Sequence, residues 1–270
     1  MNIIGIDIGG STTKIVGLHN GNPMEPMQVK ATDPITSVFG AFGKYISTNN
    51  MALSDINRIM VTGVGSSYMK EDIYNIKTIR VGEFDSIGLG GLYLTKLDKA
   101  VIVSMGTGTA FVKAQNGKIE HLGGTGVGGG TLLGLSSRLL NIKNFESIID
   151  MSANGNLFNV DLTVGDISKD KVKTMPPETT ASNFGKISDY ATKDDIALGI
   201  INMVFQTIGM MAVFSSRMCG INDVVLCGNL TTIPNTKKLF DVITNLHGVN
   251  FYVPEHAEYA TAFGAALMTV

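Results

Sequence analysis

Two stretches of this chain, about a hundred residues apart, follow one plan, and that repetition limits the fold more than any single residue does. Residues 2–22, NIIGIDIGGSTTKIVGLHNGN, read as a β-branched strand, a glycine and hydroxyl turn, a second strand and an Asn-Gly turn. Residues 99–118, KAVIVSMGTGTAFVKAQNGK, repeat that order. After the first copy, Ile35, Val38, Phe42 and Ile46 recur at helical spacing, and INRIMVTG returns as a strand ending in glycine. After the second, INDVVLCGN gives another strand ending in glycine before a helix, and VNFYV leads to a small-residue helix at the end. The expected architecture is α/β with two lobes and a central cleft. Residues 1–97 form the first lobe and 98–270 the second, with the last helix packing back toward the first. The polar, Pro-Pro-containing stretch 166–188 reads as an exposed connection.

The turns of the two hairpins carry the chemistry. In DIGGSTTK, Asp7 ends a strand, Ile8, Gly9 and Gly10 bring bare backbone, Ser11, Thr12 and Thr13 bring hydroxyls, and Lys14 brings a positive charge suited to a polyphosphate. An aspartate at a strand end holds Mg²⁺ through water, because magnesium keeps part of its hydration shell. Gly106, Thr107 and Gly108 repeat the idea in the second lobe. One D-x-G-G turn is as often structural as functional. Two such loops facing one cleft are what phosphoryl transfer requires, since the protein's work there is positioning and charge neutralisation.

A third glycine cluster, GGTGVGGGTLLGL at 123–135, puts seven glycines into thirteen positions immediately before a helix. Unpaired amides and partial positive charge at a helix start suit an anion. Gly124, Gly126 and Gly129 also fit a dinucleotide fingerprint, with Glu146 or Asp150 as the ribose acid, but the preceding IEHL is short for the strand which that motif needs.

Net charge is −2 with no block of Lys or Arg, so the chain carries no electrostatic footprint for nucleic acid. Cys219 and Cys227 fit neither a disulfide framework nor a zinc site, and a reduced cytoplasm is the expected compartment. The N-terminal run is interrupted by Asp7 and has no basic start, so no signal peptide is expected. Residues 196–216 are free of charge and long enough to span a membrane, yet Asn202, Gln206 and Thr207 within them favour a buried helix, in a core or a subunit interface. No membrane partner is expected.

Taken together, DIGGSTTK, SMGTGTA and VVLCGN resemble the phosphate and adenosine motifs of the superfamily of actin, hexokinase and the heat-shock chaperones. VGEFDSIGLGGLYL, GGTGVGGGTLLGL, ASNFGK and ATAFGAALM, in that order across essentially the whole chain, are similar to the type II, eukaryotic-type pantothenate kinases. The resemblance implies a two-lobed actin-like ATPase fold of the ribonuclease H-like kind, with duplicated βββαβα-type halves. It also implies MgATP-dependent phosphorylation of pantothenate to 4'-phosphopantothenate, the first step of coenzyme A synthesis, with ATP and Mg²⁺ as cofactors. Residues 7–14 and Thr107 would hold the ATP phosphates. Gly129, Gly130, Thr131, Leu132 and Leu133 would begin a helix against the nucleotide, with Phe145 against adenine or in the core, and Asn229 closing the pocket.

By the same resemblance Glu83, the acid of GEFD, would be the general base. Asp85 competes for that role, and read alone Glu83 is more readily a solvated acid in a first helical turn. A long helix at 195–219 would form a homodimer, and coenzyme A or its thioesters would be possible regulators. The chain departs from the family at His121, where members often carry an arginine that grips the pantothenate carboxylate; Arg80 would compensate, or the acceptor would be a close analogue. Two other activities occur on such a fold. One is an ATPase that activates a redox enzyme, whose cluster-binding cysteines Cys219 and Cys227 do not match; the other is a non-catalytic nucleotide or coenzyme A sensor.

Overall fold

The computed structural model describes residues 1–30, 33–168, 175–234 and 236–268, and within them the repeated plan becomes two sheets of the same topology. β1 (Asn2–Ile8) and β2 (Thr12–His19) form the first hairpin, with Asp7 opposite Lys14 and Ile8 opposite Thr13. β3 (Asn22–Pro23) and β4 (Met27–Lys30) pair antiparallel with β2, and α1 (Pro34–Thr48) leads to β5 (Arg58–Thr62) and β6 (Thr78–Arg80), parallel beyond β1.

After α2 (Glu83–Thr95) the order restarts with β7 (Lys99–Met105), β8 (Thr109–Gln115) and β9 (Lys118–Thr125) as an antiparallel meander. α3 (Gly129–Leu139), α4 (Phe145–Ser152), the excursion of β10 (Leu162–Thr163), α5 (Val164–Ile167) and β11 (Thr180–Ser182), and then α6 (Lys193–Cys219) follow. β12 (Asp223–Cys227), α7 (Thr236–His247) and β13 (Asn250–Tyr252) add the parallel strands, and α8 (Ala260–Leu267) completes the order. The sheets run β3-β2-β1-β5-β6 and β9-β8-β7-β12-β13 with the same pairings along those paths, and β4, also on β2, has no counterpart in the second among the described residues. Part of the connection read over 166–188 lies outside the described residues.

The hairpin turns form for a local reason. Asn20 and Gly21 have φ of 51° and 85°, and Asn116 and Gly117 have 53° and 71°, the paired positive values of a turn whose twist matches the strands it joins. α1 starts where the Asp33 side chain accepts from the Thr36 amide and Pro34 pre-sets the first helical φ. Its buried stripe is Val38, Ala41, Phe42 and Tyr45, laid on Ile4, Ile6, Ile8 and Ile59. Ile35, expected on that stripe, is exposed in the first turn of the helix.

The terminal helices of the two halves are exchanged. α2 follows the first sheet in sequence, yet Ile87 packs with Ala100, Ile102, Val112 and Val225 of the second. α8 follows the second sheet, yet Ala262, Phe263 and Ala266 pack with Val16 and Leu18 of the first. Where the helices cross, a methyl at Gly90 would fall on the Ala260 carbonyl, and one at Gly264 on the Ser86 carbonyl. The backbones meet with nothing between them.

α6 is apolar nearly all round, and its inner face joins Val101, Val103 and Leu226 in the largest core. It is long and apolar enough to cross a membrane, but 61% of its most apolar window is buried inside this protein.

Candidate active site

Side chains alternate along a strand, so Asp7 shares one face of its sheet with its neighbours in register, Lys14 on β2 and Thr62 on β5. Two residues back on that face, Gly5 touches α8. The row Lys14, Asp7, Thr62 therefore points into the space between the sheets. Here the two hairpin turns meet: Ser11 Oγ and Thr107 Oγ1 stand 3.4 Å apart. The first turn is closed by the Gly9 amide on the Thr12 carbonyl at 3.0 Å, and the second by Gly106 on Gly108 at 2.9 Å. Among the described residues, the amides of Gly10, Ser11, Thr107 and Gly108 donate to nothing, so each turn presents two free N–H groups. Such pairs of unengaged amides form an anion cradle.

The charges around this junction are out of balance. Lys14 is 6% exposed and forms no ion pair among the described residues. Burial lowers its pKa, opposed by Asp7 and Glu258, while the neighbouring Cys227 thiol is pushed by burial up to about 12 and stays neutral. A buried ammonium without a partner is costly, and an incoming anion would relieve that cost. Asp7 is raised by burial and held back by Lys14. Glu83, the first residue of α2, is raised by burial and then by the Asp7 charge, which puts the two carboxylates on one site. Asp85 is exposed, and its carboxylate folds back over Gly82 at the start of its own helix. Of the two candidate bases, Glu83 faces the cleft.

The glycine cluster docks on the second turn. Gly129 and Gly130 donate to the carbonyls of Gly106 and Thr107, each at 2.9 Å, and a methyl at Gly128 would lie 2.7 Å from the Thr107 carbonyl. This corrects the expectation of a helix start with free amides, because these two N–H groups brace the turn. The side chain of Leu132 is wholly in the core, as is that of Ile8, and Thr13 is buried on the core face opposite Asp7. These three can meet a ligand only through their backbone. Thr131 Oγ1 donates to the Gly126 carbonyl, Leu133 is half-buried, and Thr12 supplies the closing carbonyl. Asn229 follows Gly228 beside the β7–β8 turn, and Leu230 touches the Gly129 position. Phe145 starts α4 and, half-buried, packs onto the core around α6.

His121 lies flat on Phe84, with ring centroids 3.7 Å apart and planes 8° apart. It does not line the cavity that holds Glu83. That cavity, of about 480 Å³, is bounded by Gly63, Val64, Ser66, Arg80, Val81, Gly82 and Glu83. Gly63 is the residue that sequence reasoning passed over. Its φ of +84° matches the +90° of Gly228 at the equivalent strand end in the other half, and a methyl on it would press on the Asp7 carboxylate. The signal was present: VTG repeats the strand–glycine ending of VLCG.

The donor set fits a metal–nucleotide complex better than a resident metal. No group of three or more His, Cys, Asp or Glu could hold an ion among the described residues. Magnesium bound with nucleotide needs only one or two carboxylates beside the phosphates, and Asp7 and the unpartnered hydroxyl of Thr62 stand together for that.

Residues 99–268 match the Fumble family. A type II pantothenate kinase of Bacillus anthracis is 30% identical over 259 residues, covering 90% of this chain and 87% of its own. That of Staphylococcus epidermidis is 29% identical over 277 residues, covering 97% and 98%. Among solved structures, the activator of the 2-hydroxyisocaproyl-CoA dehydratase from Clostridium difficile with bound ADPNP superposes with a TM-score of 0.71 at 18% identity, covering 99% of this chain and 93% of that one. The ROK hexokinase from Thermus thermophilus gives 0.57 at 10%, covering 99% and 98%. The structural likenesses establish the fold alone: two α/β lobes of the hexokinase and actin kind.

Proposed function

The chain belongs to the Fumble family of type II pantothenate kinases, and on that premise we propose that it transfers the γ-phosphoryl group of MgATP to the primary hydroxyl of pantothenate, giving 4'-phosphopantothenate. It is an ATP-dependent kinase. What carries the reading of its site is the meeting of the two turns at Ser11 and Thr107, with Asp7, Lys14 and Glu83 around the junction.

The free amides of Gly10, Ser11, Thr107 and Gly108 grip phosphate oxygens from opposite walls, and the Lys14 ammonium offsets their charge. Asp7, with the Thr62 hydroxyl beside it, would hold the magnesium that accompanies the nucleotide, and the ion would supply neutralisation of the charge on the phosphates. Glu83 accepts the proton of the acceptor hydroxyl at its carboxylate oxygen as the new O–P bond forms. Cytoplasmic location, a homodimer through α6 and feedback by coenzyme A or its thioesters belong to the same reading.

The test is incubation of the purified protein with MgATP and pantothenate, scoring ADP release and phosphorylated product by mass. Product formation that falls about 10²–10⁴-fold in Glu83→Gln is expected. Absence of phosphorylated pantothenate from the wild-type reaction overturns the reading.

A further inference from the structure

Arg80 ends β6 three residues before Glu83, and both line the same cavity. We infer that Arg80 is the specificity residue that binds the carboxylate end of the acceptor whose hydroxyl faces Glu83. The inference rests on the kinase reading above and adds the acceptor's second anchor to it.

The side chain is preset for this. Its Nε donates to Ser66 Oγ at 3.1 Å, and Ser66 is itself 2% exposed, fixed in the tight turn after Gly63 where its amide reaches the Gly63 carbonyl at 3.0 Å. Tethered by that inner nitrogen, the guanidinium keeps both terminal nitrogens for a ligand, and it forms no ion pair among the described residues. A planar fork held at one side is the geometry that takes a carboxylate through two parallel hydrogen bonds.

Charge sets the orientation of the acceptor. Arg80 and Glu83 are the two charged residues on the cavity wall. An anionic acceptor group is repelled from the Asp7 and Glu83 end and attracted to Arg80, which leaves the far, neutral hydroxyl beside the base. Length agrees as well: three residues of extended chain reach at most about 10 Å, and the eight bonds from the primary hydroxyl to the carboxyl carbon of pantothenate also span about 10 Å. An adjoining recess of about 320 Å³ brings Lys70 to the other side of Arg80, but Glu71 and Asp72 stand there too, so that recess mixes charges of both signs. Asp72 accepts from the Thr78 amide at 2.9 Å, and no ion pair joins it to Arg80 among the described residues. His121, at the position where the resemblance expects an arginine, has its ring occupied by Phe84.

Calorimetric titration and steady-state kinetics with pantothenate and with its neutral carboxamide counterpart separate the possibilities. The wild type is expected to bind the acid about tenfold or more tightly than the amide, and Arg80→Met to weaken acid binding about 10–100-fold, so that the preference disappears in Kd and in KM. Arg80→Lys should recover part of it, and Lys70→Met should keep the wild-type preference. A wild type with no preference, an Arg80→Met variant that weakens both ligands equally or neither, or a Lys70→Met variant that abolishes the preference overturns the role of Arg80. Acid-selective binding lost in Arg80→Met, with no turnover by the wild type, supports Arg80 while overturning the kinase reading. Thermal melts of the variants confirm that each is folded.

Discussion

At the scale of single residues, the site is organised by groups that are uncomfortable without a ligand. Glu83 has its pKa raised by burial and by the nearby Asp7 charge, and it must be ionised to accept a proton. The acid limb of kcat/KM is therefore expected above the ordinary carboxylate range, and a pH profile that falls only near the value of a free glutamate would remove Glu83 as the base. The same shift makes a statement about stability. A carboxyl whose folded pKa lies above its unfolded one contributes stability that is complete below the unfolded value and is lost as pH rises through the folded one. Glu83→Gln, a mimic of the neutral acid, should therefore melt higher than the wild type at about pH 8, and the gap should close toward about pH 4. Equal melting temperatures across that range would mean that Glu83 is not desolvated. Residue identity alone left this half-legible. GEFD offers two acids, and only the backbone turn that sends Asp85 back over Gly82 and Glu83 toward Asp7 separates them. The setting of His121 was hidden for a similar reason: ring stacking on Phe84 depends on how β9 and α2 approach, which no local pattern encodes.

At the scale of elements, glycine does opposite things in different helices. In α2 and α8, Gly90 and Gly264 occupy reciprocal positions at the crossing, each facing a carbonyl of the other helix. Gly90→Ala and Gly264→Ala should each lower the free energy of unfolding by about 1–3 kcal/mol or more, because backbone rather than a flexible side chain must yield. Once one methyl has forced the helices apart, the second costs less, so the double variant should lose less than the sum of the two. Additive losses would show that the two positions are not one contact. Gly40 in α1 and Gly134 in α3 lie in helices with open space where a Cβ would stand. Alanine at either should raise stability by about 0.5–1 kcal/mol, read as a higher urea midpoint at unchanged slope. The hairpins and their Asn-Gly turns were readable from sequence because their cause is local. The run of small residues in α2 was visible, but its partner stripe sits in α8 at the far end of the chain, so its meaning was not.

At the scale of the whole molecule, duplication made the two sheets legible but showed only half of the exchange between them. The last helix was expected to pack back on the first lobe, and it does, but α2, counted with the first lobe, covers the second sheet, so the halves are joined by a crossing of helices as well as by the chain. One consequence is that Glu83 begins a helix seated on the second sheet while it faces Asp7 of the first. The surface of α6 carries the remaining inference at this scale. Its inner face fills the core, but Phe214 and Met218 are 59% and 69% exposed one turn apart, and Met203 and Met210 continue the outer stripe half-buried. An apolar stripe of that length on a helix already held from behind suits the proposed homodimer, in which α6 meets its copy. Phe214→Glu would bury a charge with no partner at the centre of that contact, which weakens association by about a hundredfold or more while leaving the inner face of the helix untouched. Sedimentation at micromolar concentration should give twice the chain mass for the wild type and one chain mass for the variant. A monomeric wild type, or a variant that remains dimeric, would remove α6 from the interface and leave Phe214 and Met218 without an explanation in the fold.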